Sequence, residues 1–158
     1  MKRCLLAALA ASALAVHAAP IRLADVSPKA RFDLQATWEH EGSRLGSPDR
    51  LSAVIARAPA VEVRLNTAAH VGKRGRIYIA LPQQLPGMRA AEALRMSWQA
   101  RGRMQSGSVL PGQRALLYDG PIESPLTSDI LDVTIHTDAR HMPGGLRVDP
   151  YFEFEPAP

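Results

Sequence analysis

In AVEVRLNT, residues 60–67, apolar and polar side chains alternate from one residue to the next. The apolar set is Val61, Val63 and Leu65, and charged or polar residues separate its members. Successive side chains of a β-strand point to opposite faces of the sheet. The stretch therefore predicts a strand with one face in the core and the other in solvent.

The same two-residue period recurs along most of the chain. The other predicted strands, with their core-facing residues, are RFDLQATWEH (Phe32, Leu34, Ala36, Trp38), RIYIAL (Ile77, Ile79, Leu81), LRMSWQA (Leu94, Met96, Trp98), the shorter RALLYD, ILDVTIHT (Leu131, Val133, Ile135) and LRVDPYFEFE (Leu146, Val148, Phe152, Phe154). Turn-forming clusters separate these strands, and no long amphipathic helix interrupts them. The sequence predicts an all-β fold, an antiparallel β-sandwich of immunoglobulin-like type with about seven strands.

Local details predict how some of these strands connect. AVEVRLNT and RIYIAL flank a connection that contains Gly72 and Gly75, which predicts a hairpin with the basic run KRGR, residues 73–76, at its solvated tip. Proline cannot donate to a strand ladder, so Pro150 predicts an edge strand or a bulge in the last strand. RLSAVIAR, residues 50–57, fits either a helical turn or a further strand.

The N-terminus has the features of an export signal. Lys2 and Arg3 precede an apolar run and a small-residue A-x-A-like site that ends at Ala18, which predicts a signal peptide over residues 1–18. The apolar run is shorter than the roughly 20 residues that span a bilayer, so no membrane anchor is expected after cleavage. We expect residues 19–158 to form one domain, with its core over about 31–155, in the periplasm or secreted.

The composition of the expected mature chain narrows its partners. Cys4 is the only cysteine and lies in the signal segment, so packing rather than disulfides must stabilise the domain. With Lys2 and Arg3 removed, 17 basic residues face 15 acidic ones, a net charge of +2. This near balance, without aromatic residues interleaved among the basic ones, argues against nucleic-acid binding. A protein partner in the cell envelope is expected.

HTDARHM, residues 136–142, is the stretch with most metal-binding groups. On a strand that continues ILDVTIHT, His136 and Asp138 share the face opposite the core, and His141 returns to them if the turn folds back. The same alternation is typical of a solvated strand face that leads into the turn at Pro143. We favour the polar face and turn, with a metal site at His136, Asp138 and His141 as the alternative.

No pattern for catalysis or cofactor binding emerges from the sequence. There is no G-x-S-x-G elbow, no phosphate-binding glycine loop and no cysteine in the expected mature chain. In WEHEG, residues 38–42, Glu39 and Glu41 share one strand face while His40 points away, so the three side chains do not converge on a proton. We therefore expect a protein that is not an enzyme and has no cofactor, and an enzyme with an unrecognised site is the other alternative.

The segments RIYIALP, LRMSW, RALLYDGPI and ILDVTIHTDAR, within residues 60–155, together resemble β-sandwich modules of exported Gram-negative proteins. These modules include domains associated with pili and surface adhesion. The resemblance implies a non-catalytic binding or assembly role, as an interaction module of a surface or pilus-related assembly. Tyr78 and Tyr151 alternate away from the core positions and are candidates for a contact surface.

Overall fold

The computed structural model describes residues 19–28, 37–38, 52–90, 93–141 and 146–157. In these ranges the chain forms strands and short 3-10 turns, among them Ala68–His70 and Ala139–His141. The strands are β1 (Ile21–Asp25), β2 (Thr37–Trp38), β3 (Ala53–Asn66), β4 (Arg74–Ala80), β5 (Arg95–Ala100), β6 (Gly107–Val109), β7 (Arg114–Pro121), β8 (Leu126–Asp138) and β9 (Tyr151–Pro156). The prediction of an all-β fold is confirmed, with nine described strands where about seven were expected.

All strand pairs are antiparallel and follow one hydrogen-bonded path. The order is β6-β5-β8-β3-β1-β9-β4-β7, and β2 pairs with β3 beside this path. Strand β1 joins the two halves, because residues 21–23 pair with β9 whereas Ala24 and Asp25 pair with β3. Just before β6, the Gln105 N–H donates a 2.7 Å hydrogen bond to the Leu117 carbonyl of β7. The sheet therefore nearly closes on itself in the manner of a barrel.

The core lies inside this curved sheet and uses the predicted alternating positions. Val63 and Leu65 are buried on β3, and the predicted inward residues of RIYIAL and LRMSWQA are buried as well. Leu131 is buried, while Val133 and Ile135 are partly buried against the same cluster. Strand β1, which the sequence analysis did not predict, adds Leu23 to this core. The packed core thus begins nearer the N-terminus than residue 31.

A bulge in β3 reverses the parity of its side chains. The register with β8 shifts between Ala58 and Val61, and Ala60 has a left-handed backbone with φ of 55°. A one-residue shift moves every later side chain to the opposite face. Residues 54, 56 and 58 therefore face the core before the bulge, and residues 61, 63 and 65 face it afterwards. The part of RLSAVIAR from Ala53 onward belongs to this strand, which excludes a helical turn there.

The predicted hairpin between AVEVRLNT and RIYIAL is wrong. In the described residues β3 pairs with β8, β1 and β2, while β4 pairs with β7 and β9. The connection leaves β3 at Thr67, whose fully buried hydroxyl donates a 2.8 Å hydrogen bond to the Ser124 carbonyl. The chain then crosses between the two halves of the sheet, and KRGR continues into β4 instead of forming a hairpin tip.

The last strand also differs from its prediction. β9 begins at Tyr151, directly after Pro150, and pairs with β1 on one side and β4 on the other. The proline therefore stands outside the ladder, and the strand needs neither an edge position nor a bulge. Of the predicted strand RFDLQATWEH, only Thr37 and Trp38 are described, and the rest lies outside the described residues.

Candidate interaction surface

The predicted metal ligands lie at the end of β8 and in the turn after it. His136 is opposite Ile55 of β3 and Arg95 of β5. The Asp138 carboxylate accepts hydrogen bonds from the Arg140 side chain, the shortest at 2.6 Å, and one of 2.9 Å from the Arg140 N–H. These bonds hold the pKa of Asp138 well below its usual range. The Asp138 carboxylate is thus already paired with an arginine.

No group of three or more potential metal ligands forms within the part of the chain that the structure describes. The end of HTDARHM, at Met142, falls outside that part, as do Glu39, His40 and Glu41 of WEHEG. In the same part, no helix has the length and apolar character needed to cross a membrane. The signal segment, residues 1–18, is also outside the described residues.

One buried titratable group was missed by the sequence analysis. His70 is 8% exposed, and its ring stacks on Phe154 with the centroids 4.1 Å apart. Its Nδ1 has no hydrogen-bond partner. Burial, and secondarily the charge of Lys73, lower the pKa of His70. The imidazole is therefore a neutral group in the core. The alternation of apolar and polar residues did not predict its burial, because His70 lies in the connection between β3 and β4.

The predicted contact residues Tyr78 and Tyr151 share the outer face of β1, β9, β4 and β7. Register places Tyr151 beside Ala80 and Arg114, and the next row contains Arg22, Glu153 and Tyr78. We call this surface the tyrosine face, defined by Arg22, Tyr78, Arg114, Tyr151, Glu153 and Glu155. The expectation that the two tyrosines point away from the core is confirmed, since both are half-buried on the side opposite Phe152 and Phe154.

Each tyrosine of this face is covered by an arginine. The Arg22 guanidinium lies 4.6 Å from the centroid of the Tyr151 ring, and the Arg114 guanidinium lies 4.3 Å from that of Tyr78. Arg114 also pairs with Glu155 at 3.0 Å and with Glu153 at 3.6 Å. Ring stacking and ion pairing thus fix the same guanidinium from several sides, which restricts the motion of the neighbouring tyrosine.

The face also has a recessed margin. An open depression of about 430 Å³ is lined by residues 22–25 of β1 and by Pro150, Tyr151 and Phe152. Ala80, in the row between Tyr151 and Arg114, is only 1% exposed. Aromatic rings that already contact an arginine beside a depression can bind a partner with little further ordering of the side chains.

Neither the tyrosine face nor the fold could be matched to known proteins. Comparison with protein-family models, curated protein sequences and solved structures found no match to this chain. Its functional interpretation therefore rests on the chemistry of its own residues.

Proposed function

We propose that the protein is an exported, non-catalytic interaction module that binds a protein partner in the cell envelope through the tyrosine face. The observation that carries this proposal is the pair Tyr78 and Tyr151, each stacked under an arginine on one outer face. Tyrosine and arginine are enriched among the residues that dominate binding energy at protein interfaces. The depression at the edge of the face offers room for a partner side chain.

Charge balance on this face favours a protein partner over a charged polymer. Arg114 is neutralised by Glu153 and Glu155, so its positive charge is not available to attract a distant anion. Binding then depends on contact with the ring faces and the aliphatic parts of the arginines. Because the side chains are already ordered, the entropic cost of immobilising them on binding is small.

Export, the type of assembly and the arrangement of the strands in two layers are further parts of the proposal, and each has its own support. The basic, apolar and small-residue order of residues 1–18 supports export to the periplasm or the exterior. The resemblance of residues 60–155 to modules of surface and pilus-related proteins supports a place in such an assembly. The change of partner within β1 supports an immunoglobulin-like sandwich, in which β6-β5-β8-β3 form one layer and β9-β4-β7 form the other.

Site-specific crosslinking in the exporting cell tests the interaction. A photoreactive amino acid replaces Leu116, which lies opposite Tyr78, and in a second variant it replaces Ser128 on the outer face of β8. We expect a discrete protein adduct from position 116 only. The Tyr78→Ala, Tyr151→Ala double variant should lose this adduct.

The matched control for that experiment is Arg147→Ala, Glu123→Ala, which changes two exposed residues away from the tyrosine face. It should retain the adduct at position 116. An adduct that survives loss of both tyrosines, or equal adducts from positions 116 and 128, contradicts the proposal. The export component is checked separately, since the intact mass of the protein outside the cytoplasm should lack residues 1–18.

A further inference from the structure

A second surface, on the other half of the sheet, has a different chemistry. On the outer side of β5, β8 and β3, Arg95 lies in the same row as His136, and the next row contains Ser97, Thr134 and Arg57. We call Arg57, Arg95, Ser97 and Thr134 the arginine face. With strands about 4.8 Å apart and a two-residue offset, the Cα atoms of Arg57 and Arg95 are about 12 Å apart.

The two arginines of this face have no acidic partner within the described residues. Both are exposed, and neither makes an ion pair or a side-chain hydrogen bond there. The nearest outward carboxylates on β8 are already occupied. Asp132 is bound by Arg101 at 2.6 Å and Asp138 by Arg140 at 2.6 Å. These bonded carboxylates do not offset Arg57 and Arg95, so the face keeps a surplus positive charge.

Asp132 is held in place from a second side as well. Its carboxylate accepts a 2.9 Å hydrogen bond from the Ala60 N–H at the bulge. The Arg101 hydrogen bonds, with a further contribution from this N–H, lower the pKa of Asp132 to about 2. The carboxylate is therefore ionised at any pH of normal growth, and its bonds are to Arg101 and the Ala60 N–H and not to Arg57.

The central strand of this surface has no free backbone edge. The part of β8 that carries Thr134 is paired with β3 on one side and β5 on the other, so an added peptide strand finds no free edge there. Recognition along β8 must therefore come from side chains. In these two rows Ile55 is the only large apolar residue, and it is 7% exposed. The face therefore offers charge and hydroxyl groups without an apolar anchor.

We propose that the arginine face binds a carboxylated polysaccharide. Guanidinium groups recognise carboxylates with paired hydrogen bonds, and two arginines separated along the face can engage two carboxylates of one polymer. A protein segment or a membrane surface would gain little here, since both normally bury apolar or aromatic groups. Single-stranded nucleic acid stacks its bases mainly on Phe, Tyr or Trp, and these two rows contain none of the three. This inference is independent of the tyrosine face.

Calorimetric titration of the purified full-length mature chain with polygalacturonate tests the inference. We expect saturable binding that weakens as salt is raised, because the contacts are between exposed charges. The Arg57→Gln, Arg95→Gln double variant should bind at least about tenfold more weakly, since charge-assisted hydrogen bonds are stronger than neutral ones. Its melting temperature should match that of the parent protein, because neither arginine has a partner to lose among the described residues.

The matched control is Arg103→Gln, Arg147→Gln, which removes two exposed positive charges elsewhere and should change the affinity less than twofold. An equal loss in both double variants would indicate attraction by net charge alone and overturn the proposal. Tighter binding of poly-glutamate than of polygalacturonate would assign the face to an acidic protein. Tighter binding of phosphatidylglycerol vesicles would assign it to a membrane surface, and absence of binding to all three probes would also reject the proposed ligand.

Discussion

The tyrosine face and the arginine face are two outer surfaces of one antiparallel sheet, yet they use arginine in opposite ways. On the tyrosine face Arg114 is shared between Tyr78, Glu153 and Glu155. On the arginine face Arg57 and Arg95 are exposed, and no described carboxylate pairs with them. The first surface is neutral and ordered, and the second is charged and open.

The difference depends on which residues pair across strands. YFEFE alternates apolar and polar residues and places its polar side chains on the outer face, whereas in AVIAR Arg57 is the only polar residue and also points outward. Strand β9 brings Glu153 and Glu155 close to an arginine of β7, although β4 lies between them. On strand β8, Asp132 and Asp138 instead bind Arg101 and Arg140 of the flanking loops. Long-range register therefore decides which arginines stay available for a ligand.

The largest expected effect tests whether the two faces belong to one folding unit. Phe154 lies on β9 beneath the tyrosine face and is fully buried, and Leu131 lies on β8 beneath the other half and is 1% exposed. Phe154→Ala should lower the free energy of unfolding by about 3–5 kcal/mol, and Leu131→Ala by about 2–5 kcal/mol. Because both side chains join one core, urea titration should show a single transition in each variant. Two separate transitions would show that the halves unfold independently.

A smaller effect compares the arginines of the two faces directly. Arg114→Ala should lower the free energy of unfolding by about 1 kcal/mol, because it removes a partly exposed ion-pair set and a cation–π contact. Arg57→Ala removes no contact with a described residue and should change stability by less than about 0.5 kcal/mol. Chemical denaturation of the two single variants measures the difference. Equal losses would mean that the ion pairs of the tyrosine face contribute nothing to folding.

The sequence predicted the composition of the core better than the connections between strands. Alternation alone identified Leu65, Ile79, Trp98 and Phe154 as inward-facing, because each local strand has a two-residue period. It also placed Tyr78 on the outer face. The hairpin failed because glycines and charges in a connection report a turn, but not which strands pair afterwards.

The features that the sequence missed depend on tertiary contacts. Strand β1 has one buried residue, Leu23, in five, so its alternation is too short to recognise. The parity reversal in β3 depends on a bulge at Ala60, a residue that gives no signal for left-handed backbone. The pairing of Asp138 with Arg140, which occupies a predicted metal ligand, depends on the turn after β8. None of these is encoded by hydrophobic period alone.

Acid should weaken the side of the core that supports the tyrosine face. The pKa of buried His70 is lowered from 6.5, mainly by burial. Above that value the imidazole is neutral in both states, so it adds no pH dependence. As the pH falls below 6.5, the unfolded chain takes up the proton before the folded one, and stability declines. The lowered pKa values of Asp132 and Asp138 affect the free energy of unfolding only in more acidic solution. There, stability is lost as the pH falls below their ordinary value of 3.8.

Between pH 6.5 and 5, the change of stability with pH should therefore come from His70 and not from these carboxylates. Urea midpoints measured across it should decline in the parent protein and decline less in His70→Phe, which keeps a ring against Phe154 without a titrating group. The comparison uses the slope with pH, so a constant change in stability caused by the larger ring does not matter. An unchanged slope in His70→Phe would assign the decline to another group.

The smallest expected effect concerns the bulge that turns Arg57 toward the arginine face. Left-handed backbone costs an alanine about 1–2 kcal/mol, whereas glycine tolerates it but loses about 0.5–1 kcal/mol through the freedom of its unfolded state. Ala60→Gly should therefore raise the free energy of unfolding by about 0.5 kcal/mol, since Ala60 has φ of 55° and its N–H, which binds Asp132, is retained.

Ala58→Gly is the matched control, because Ala58 is buried in the strand before the bulge and its replacement should be destabilising. Affinity for polygalacturonate should be unchanged in Ala60→Gly, because the register that places Arg57 beside Thr134 is preserved. Destabilisation by Ala60→Gly to the extent seen for Ala58→Gly would show that residue 60 is extended in solution, and the parity reversal that separates the outward residues 57 and 64 would then need another origin.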